Sequence, residues 1–152
     1  MKIFEENEEV ESPVIEALQA ASMSNAMMKV LNVKYQKKWD NLDEIKAGIG
    51  VALGRALVIK AGFSGSGIEE LVYMGDVVNR ASKMCGLAYK EYNSPICVTQ
   101  EAYENAGKFI ANKDRGKTFQ DYLNKKTHDN HGNVYVGNFF RLNINDWAKE
   151  NS

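Results

Sequence analysis

One stretch constrains the fold of this chain more than any other. Gly75-Asp76-Val77-Val78-Asn79-Arg80-Ala81-Ser82-Lys83-Met84 is a turn that runs straight into a helix. Apolar residues recur at Val77, Val78, Ala81, Met84, Cys85 and Ala88, the spacing of one buried helical face. Such a helix needs an apolar surface to lie on, and the segments before and after it read as strands. Its opposite face carries Asp76, Asn79, Arg80 and Lys83. Asn79 and Lys83 are four residues apart, so both project from neighbouring turns of one surface. An amide and a cation aimed the same way suit a sugar and a phosphate. The plain alternative is the solvated face of an ordinary amphipathic helix.

Before that helix, residues 2–4 form a very short apolar piece, read as a strand, and Glu5, Glu6, Glu8, Glu9 and Glu11 as a solvated acidic loop. Ser12-Pro13 then starts a helix, with serine at the N-cap and proline at the first helical position. Val14, Ala17, Leu18, Ala21, Met28 and Leu31 make its apolar stripe, with Ser24 and Asn25 at the crossing point; Met23, Met27 and Met28 are read as filling core against a sheet in preference to forming a sticky partner surface. The helix is expected to give way to a basic segment, Lys34, Lys37 and Lys38, ending near Trp39. Ile45–Val51 alternates like a strand, with glycines where another backbone approaches closely. Ala56–Ile59 and Ile68–Met74 are strands of a hairpin, and Phe63-Ser-Gly-Ser-Gly67 is its turn.

The central helix is read from Asp76, as N-cap, to about Tyr89. Ile96-Cys97-Val98 is a short buried strand, and Thr99 caps a short helix with Ala102, Tyr103 and Ala106 facing in. Residues 108–133 form a polar insertion read as a loop. Its His128 and His131 are a weak metal signal, lacking a third ligand in view. Val134–Leu142 is expected to close the chain as a strand, with Trp147 sealing the end. The order of elements is that of an α+β protein.

The chain has 152 residues, 44 % hydrophobic and 26 % charged, the make-up of one globular domain over residues 1–152. A net charge of −1 gives no basic field for nucleic acid or an anionic membrane. No apolar run approaches the roughly 20 residues of a membrane span. Two cysteines inside apolar patterns, with no signal-peptide layout at the start, point to reduced thiols and a cytoplasmic location.

Four pieces in order carry a resemblance: Ala47-Gly-Ile-Gly-Val51, Gly54 with the hairpin, Gly75-Asp76-x-x-Asn79-x-Ala81-Ser82-Lys83, and Pro95-Ile-Cys-Val-Thr99 followed by Tyr103. Together they resemble the C-terminal portion of a class III nucleotidyl cyclase domain. The ending, Tyr135-Val-Gly-Asn-Phe-Phe140 to Trp147, looks most like bacterial cyclases that make cyclic pyrimidine nucleotides in antiphage defence.

The resemblance implies a ferredoxin-like antiparallel sheet with helices on one face, here lacking the N-terminal strand or strands. It also implies a head-to-tail homodimer, or a heterodimer with another cyclase domain, with active sites across the interface. A nucleoside triphosphate is the implied substrate and Mg²⁺ or Mn²⁺ the implied cofactor. The 3′-hydroxyl attacks the α-phosphate, two divalent ions activate it, and fixed donors meet the growing charge. Asn79 matches the family's asparagine and Lys83 falls where the family has arginine; these two are the candidate catalytic residues. Lysine keeps the charge but loses the bidentate fork.

Val72 falls at the base-selecting position, where it offers no hydrogen bond, and Gly75 and Asp76 complete the candidate substrate-binding set. The two metal-binding aspartates of the family lie upstream of a strand like Lys2-Ile3-Phe4, so Asp40 and Asp43 are not those ligands and no metal ligand is assigned in this chain. A fragment of a longer cyclase and a pseudo-cyclase half acting as a nucleotide-binding or regulatory subunit are the two readings this leaves. Lys125 and Lys126 are further candidates to meet the triphosphate, against the plainer reading of solvated lysines.

Overall fold

The computed structural model of the protein describes residues 12–38, 43–62, 69–107, 109–112 and 115–151. The expected strand at residues 2–4, the acidic run, Asp40 and the turn at 63–67 lie outside the described residues.

Helix α1 (Pro13–Lys38) starts where the sequence places it: the Ser12 carbonyl accepts from the Ile15 and Glu16 amides at 2.8 and 3.2 Å. Glu16 in the first turn and Lys37 and Lys38 in the last complement the helix dipole. The basic segment is therefore the last turn of α1 and not a break from it. Strand β1 (Ile49–Val51) is shorter than the expected 45–51. Strands β2 (Leu57–Gly62) and β3 (Glu69–Met74) form the expected hairpin as a separate two-stranded antiparallel sheet, and helix α2 (Asp76–Leu87) follows directly. Strand β4 (Ile96–Thr99) leads into helix α3 (Gln100–Asn105), whose Ala102 amide donates to the Thr99 hydroxyl.

The polar segment read as a loop carries structure. It holds β5 (Ile110–Asn112), β6 (Lys117–Thr118), a 3₁₀ turn at Gln120–Tyr122 and β7 (Leu123–His128). Strand β8 (Gly132–Gly137) begins earlier and ends sooner than the expected 134–142, and helix α4 (Leu142–Glu150) takes up the rest. Trp147 lies on α4 at 41 % exposure, so it does not seal the end.

The main sheet has the order β1-β4-β8-β7. Here β1 runs parallel to β4, while β4–β8 and β8–β7 are antiparallel. The expected antiparallel sheet is thus a mixed one, because a crossover through α2 separates β1 from β4 and returns the chain in the same direction.

The helices also lie on both faces, not one. Ile96, Val98 and Tyr135 point to the core that α1 supplies with Val14, Ile15, Leu18 and Ala21. Their strand neighbours Cys97, Val134 and Val136 point the other way, to Met84 and Leu87 of α2. The period-2 alternation of two strands that are apolar on both faces demands this sandwiching. The fold is mixed α+β.

The outer side of α1 corrects two more expectations. Met23 and Met27 are 46 % exposed and Leu31 38 %, so they do not fill the core. Buried Asn25 and Asn32 do instead, by satisfying loop backbone. Asn25 Nδ2 donates to the Phe139 carbonyl at 2.8 Å. Asn32 both donates to the Ile45 carbonyl and accepts from its amide, each at 2.9 Å. Lys29 Nζ reaches Asn145 Oδ1 at 2.7 Å and sits 3.6 Å from the Phe140 ring centroid, tying α4 to α1.

Candidate active site

The turn into α2 is set by Gly75, at φ 134° and ψ 174°. Side chains with a Cβ rarely adopt that backbone, and a Cβ there would also stand 3.2 Å from the Arg55 carbonyl. Gly75, not Asp76, is the N-cap: the Gly75 carbonyl accepts from the Asn79 amide at 3.3 Å. Asp76 sits one residue further in, where its charge favours the positive helix end.

What presses α2 onto the sheet is the pair of glycines around β1. A Cβ at Gly50 would lie 2.1 Å from the Ala81 carbonyl, and one at Gly48 2.6 Å from that of Cys85. Backbone-to-backbone approach orients the helix so that Asn79 and Lys83 face solvent. Neither side chain has a partner among the described residues. The expected pairing of these two on one exposed face is therefore present. Val72 lies on β3, in register with Ile59.

Beside Lys83 is a polar cavity of about 350 Å³, bordered also by Arg80, Gln100, Glu101, His131 and Asn133. Arg80 and Glu101 form an ion pair that ties α2 to α3. The Arg80 guanidinium, through that hydrogen bond, holds the Glu101 carboxyl below its usual range, and Glu101 in turn holds Arg80 above its own. Arg80 is engaged in that pair, whereas Lys83 has no ion-pair partner among the described residues. Sequence reasoning missed Glu101, because nothing in a linear pattern joins positions 80 and 101.

His128 bonds Glu91 at 2.8 Å and stacks on His131 with ring centroids 4.7 Å apart. Among the described residues no group of three or more His, Cys, Asp or Glu side chains is placed to hold a metal ion. The described residues therefore do not fit a divalent-ion centre of their own. Lys125 and Lys126 lie exposed on the edge strand β7. No helix among the described residues is long and apolar enough to cross a membrane.

No protein-family profile and no solved structure match the chain. Two curated proteins do. A uridylate cyclase from Gulbenkiania mobilis is 72 % identical over 145 residues, which is 95 % of this chain and 56 % of that protein. A uridylate cyclase from Treponema porcinum is 37 % identical over 94 residues, 62 % of this chain and 32 % of that protein. The chain spans about half the length of the first relative and about a third of the second. The resemblance to nucleotidyl cyclases is borne out: over nearly all its length this chain is a close homologue of part of a protein named uridylate cyclase.

Proposed function

We propose that this chain contributes the asparagine–lysine half of a nucleotidyl cyclase site that closes UTP to its 3′,5′-cyclic monophosphate with release of pyrophosphate. The observation that carries the reading is the 72 % identity over 95 % of the chain to a protein named uridylate cyclase. Asn79 and Lys83, both exposed and without a partner among the described residues, support it.

In this reading the Asn79 amide holds the ribose, which sets the 3′-oxygen against the α-phosphorus. Lys83 places its ammonium where negative charge grows on the α-phosphate, a contact stronger in the transition state than in the ground state. Val72, without a hydrogen-bonding group, offers the base only an apolar contact. The cyclase homology implies Mg²⁺ or Mn²⁺, and we assign its ligands to residues beyond those described here. A second cyclase chain, identical or not, completes the site across a dimer interface.

The test is cyclic-nucleotide production from each of the four nucleoside triphosphates with Mg²⁺ or Mn²⁺, using the protein in its native polypeptide context. UTP is expected to give the most product. Asn79→Ala and Lys83→Ala are each expected to lower kcat at least about tenfold, the lower end of the loss when one transition-state donor is removed. Binding of UTP without turnover turns the reading into that of a regulatory partner. Absence of both binding and product, or unchanged rates in both variants, refutes it.

A further inference from the structure

We propose that the aromatic cavity between α1, the 3₁₀ turn and the start of α4 is a second ligand site, which takes a nucleotide by stacking its base and pairing its phosphate. The cavity measures about 600 Å³, within the range of roughly 300–1,000 Å³ typical of small-molecule sites. Its floor is aromatic. Phe119 and Phe139 are buried with centroids 5.4 Å apart, Phe109 lies nearly parallel to Phe119 at 6.1 Å, and Tyr122 lies 6.3 Å from Phe139. A flat ring is the shape that such faces accept.

The rim is cationic. Arg115 and Arg141 border the cavity, both exposed, and neither guanidinium has an ion-pair partner among the described residues. Lys117 Nζ lies outside the lining, 5.6 Å from the Tyr122 ring centroid. The adjacent carboxylate, Asp121, accepts from the Thr118 amide at 2.7 Å and the Thr118 hydroxyl at 3.0 Å and keeps its charge, which offsets Lys117 and leaves the two arginines as the cations of the rim. A guanidinium pairs with phosphate through two parallel hydrogen bonds and also lies flat against an aromatic ring. An uncharged apolar ligand would leave both arginines unused.

This site is separate from the one on α2. Phe119 and Phe139 belong to the core layer that includes α1, whereas α2 packs on the opposite face of the main sheet. The proposal therefore does not rest on the cyclase reading.

The experiment is a titration of the full protein with UMP, AMP, uridine and inorganic phosphate, read by calorimetry and by NMR of labelled phenylalanine rings. A mononucleotide is expected to shift the Phe119 and Phe139 signals. The double variant Arg115→Ala/Arg141→Ala is expected to bind it at least tenfold more weakly, and the Arg115→Lys/Arg141→Lys form should recover part of the loss. Asn79→Ala/Lys83→Ala should leave these ring shifts in place. Unmoved ring signals, shifts confined to α2, or equal binding by the arginine-to-alanine variant and the parent would overturn the proposal. So would equal ring shifts with phosphate alone, since they would need no base.

Discussion

Cys97 and Cys85 are the chain's two thiols, and their surroundings differ. Cys97 is fully buried on β4 with its sulfur 3.6 Å from that of Met84, and burial pushes its thiol up to about 12. Cys85 is exposed at the border of the α2 stripe and donates to the Gly48 carbonyl at 3.0 Å. Since the thiolate is the reactive form, a disulfide reagent at pH 8 should titrate one thiol quickly and the second only after denaturation. Two thiols reacting at one rate would contradict this. Both cysteines sat in apolar patterns, so their difference was not legible in the sequence; it depends on how far round α2 the sheet reaches. The pairing of Asn79 with Lys83 was legible, because helical spacing alone sets it. Asn25 and Asn32 were not, because their partners are backbone groups of loops distant in sequence, which periodicity does not reveal.

The position of α2 depends on the absence of side chains at Gly48 and Gly50. Placing a methyl group at Gly50 sets it against backbone, at 2.1 Å from the Ala81 carbonyl and 2.4 Å from the Cys85 amide nitrogen, and neither can rotate away. Gly50→Ala is therefore expected to cost about 3 kcal/mol, the upper end for overpacking, or to lift α2 from the sheet. A fall in urea midpoint together with loss of the proposed cyclase activity is the expected reading; parental values of both would show that the approach is looser than described.

The glycines were visible in the sequence as points of close backbone approach, and the structure names α2 as what approaches. Strand β7 was not visible. Only Leu123 of its six residues is buried, and charged Lys125 and Lys126 belong to an edge strand, where they discourage further pairing. Without apolar alternation, it reads as loop. Helix α4 was hidden for a related reason: β8 stops at Gly137, and the aromatic residues Phe139 and Phe140 continue the appearance of a strand past its end.

At the scale of the whole molecule, the β2–β3 hairpin forms its own two-stranded sheet among the described residues. Two strands alone are marginally stable in water. Yet this pair exposes Leu57 at 60 %, Val58 at 45 %, Ile59 at 41 % and Met74 at 51 %. Leu57 and Ile59 alternate with Val58, so apolar side chains are open on both faces of the ribbon. Exposed apolar surface of this kind marks an association site. The proposed cyclase dimer gives it a use, since the hairpin runs directly into α2 and its position in an interface would fix where Asn79 and Lys83 face the second chain.

Leu57→Lys/Ile59→Lys places two cations on one face of that ribbon without altering its backbone bonding. In sedimentation experiments the parent is expected to run as a dimer and the variant as a monomer. Far-ultraviolet circular dichroism should be unchanged, and cyclic-nucleotide production should fall at least tenfold. Equal masses for parent and variant would remove the hairpin from the interface. A monomeric variant that kept full activity would go further, because the α2 face would then have to work without a second chain.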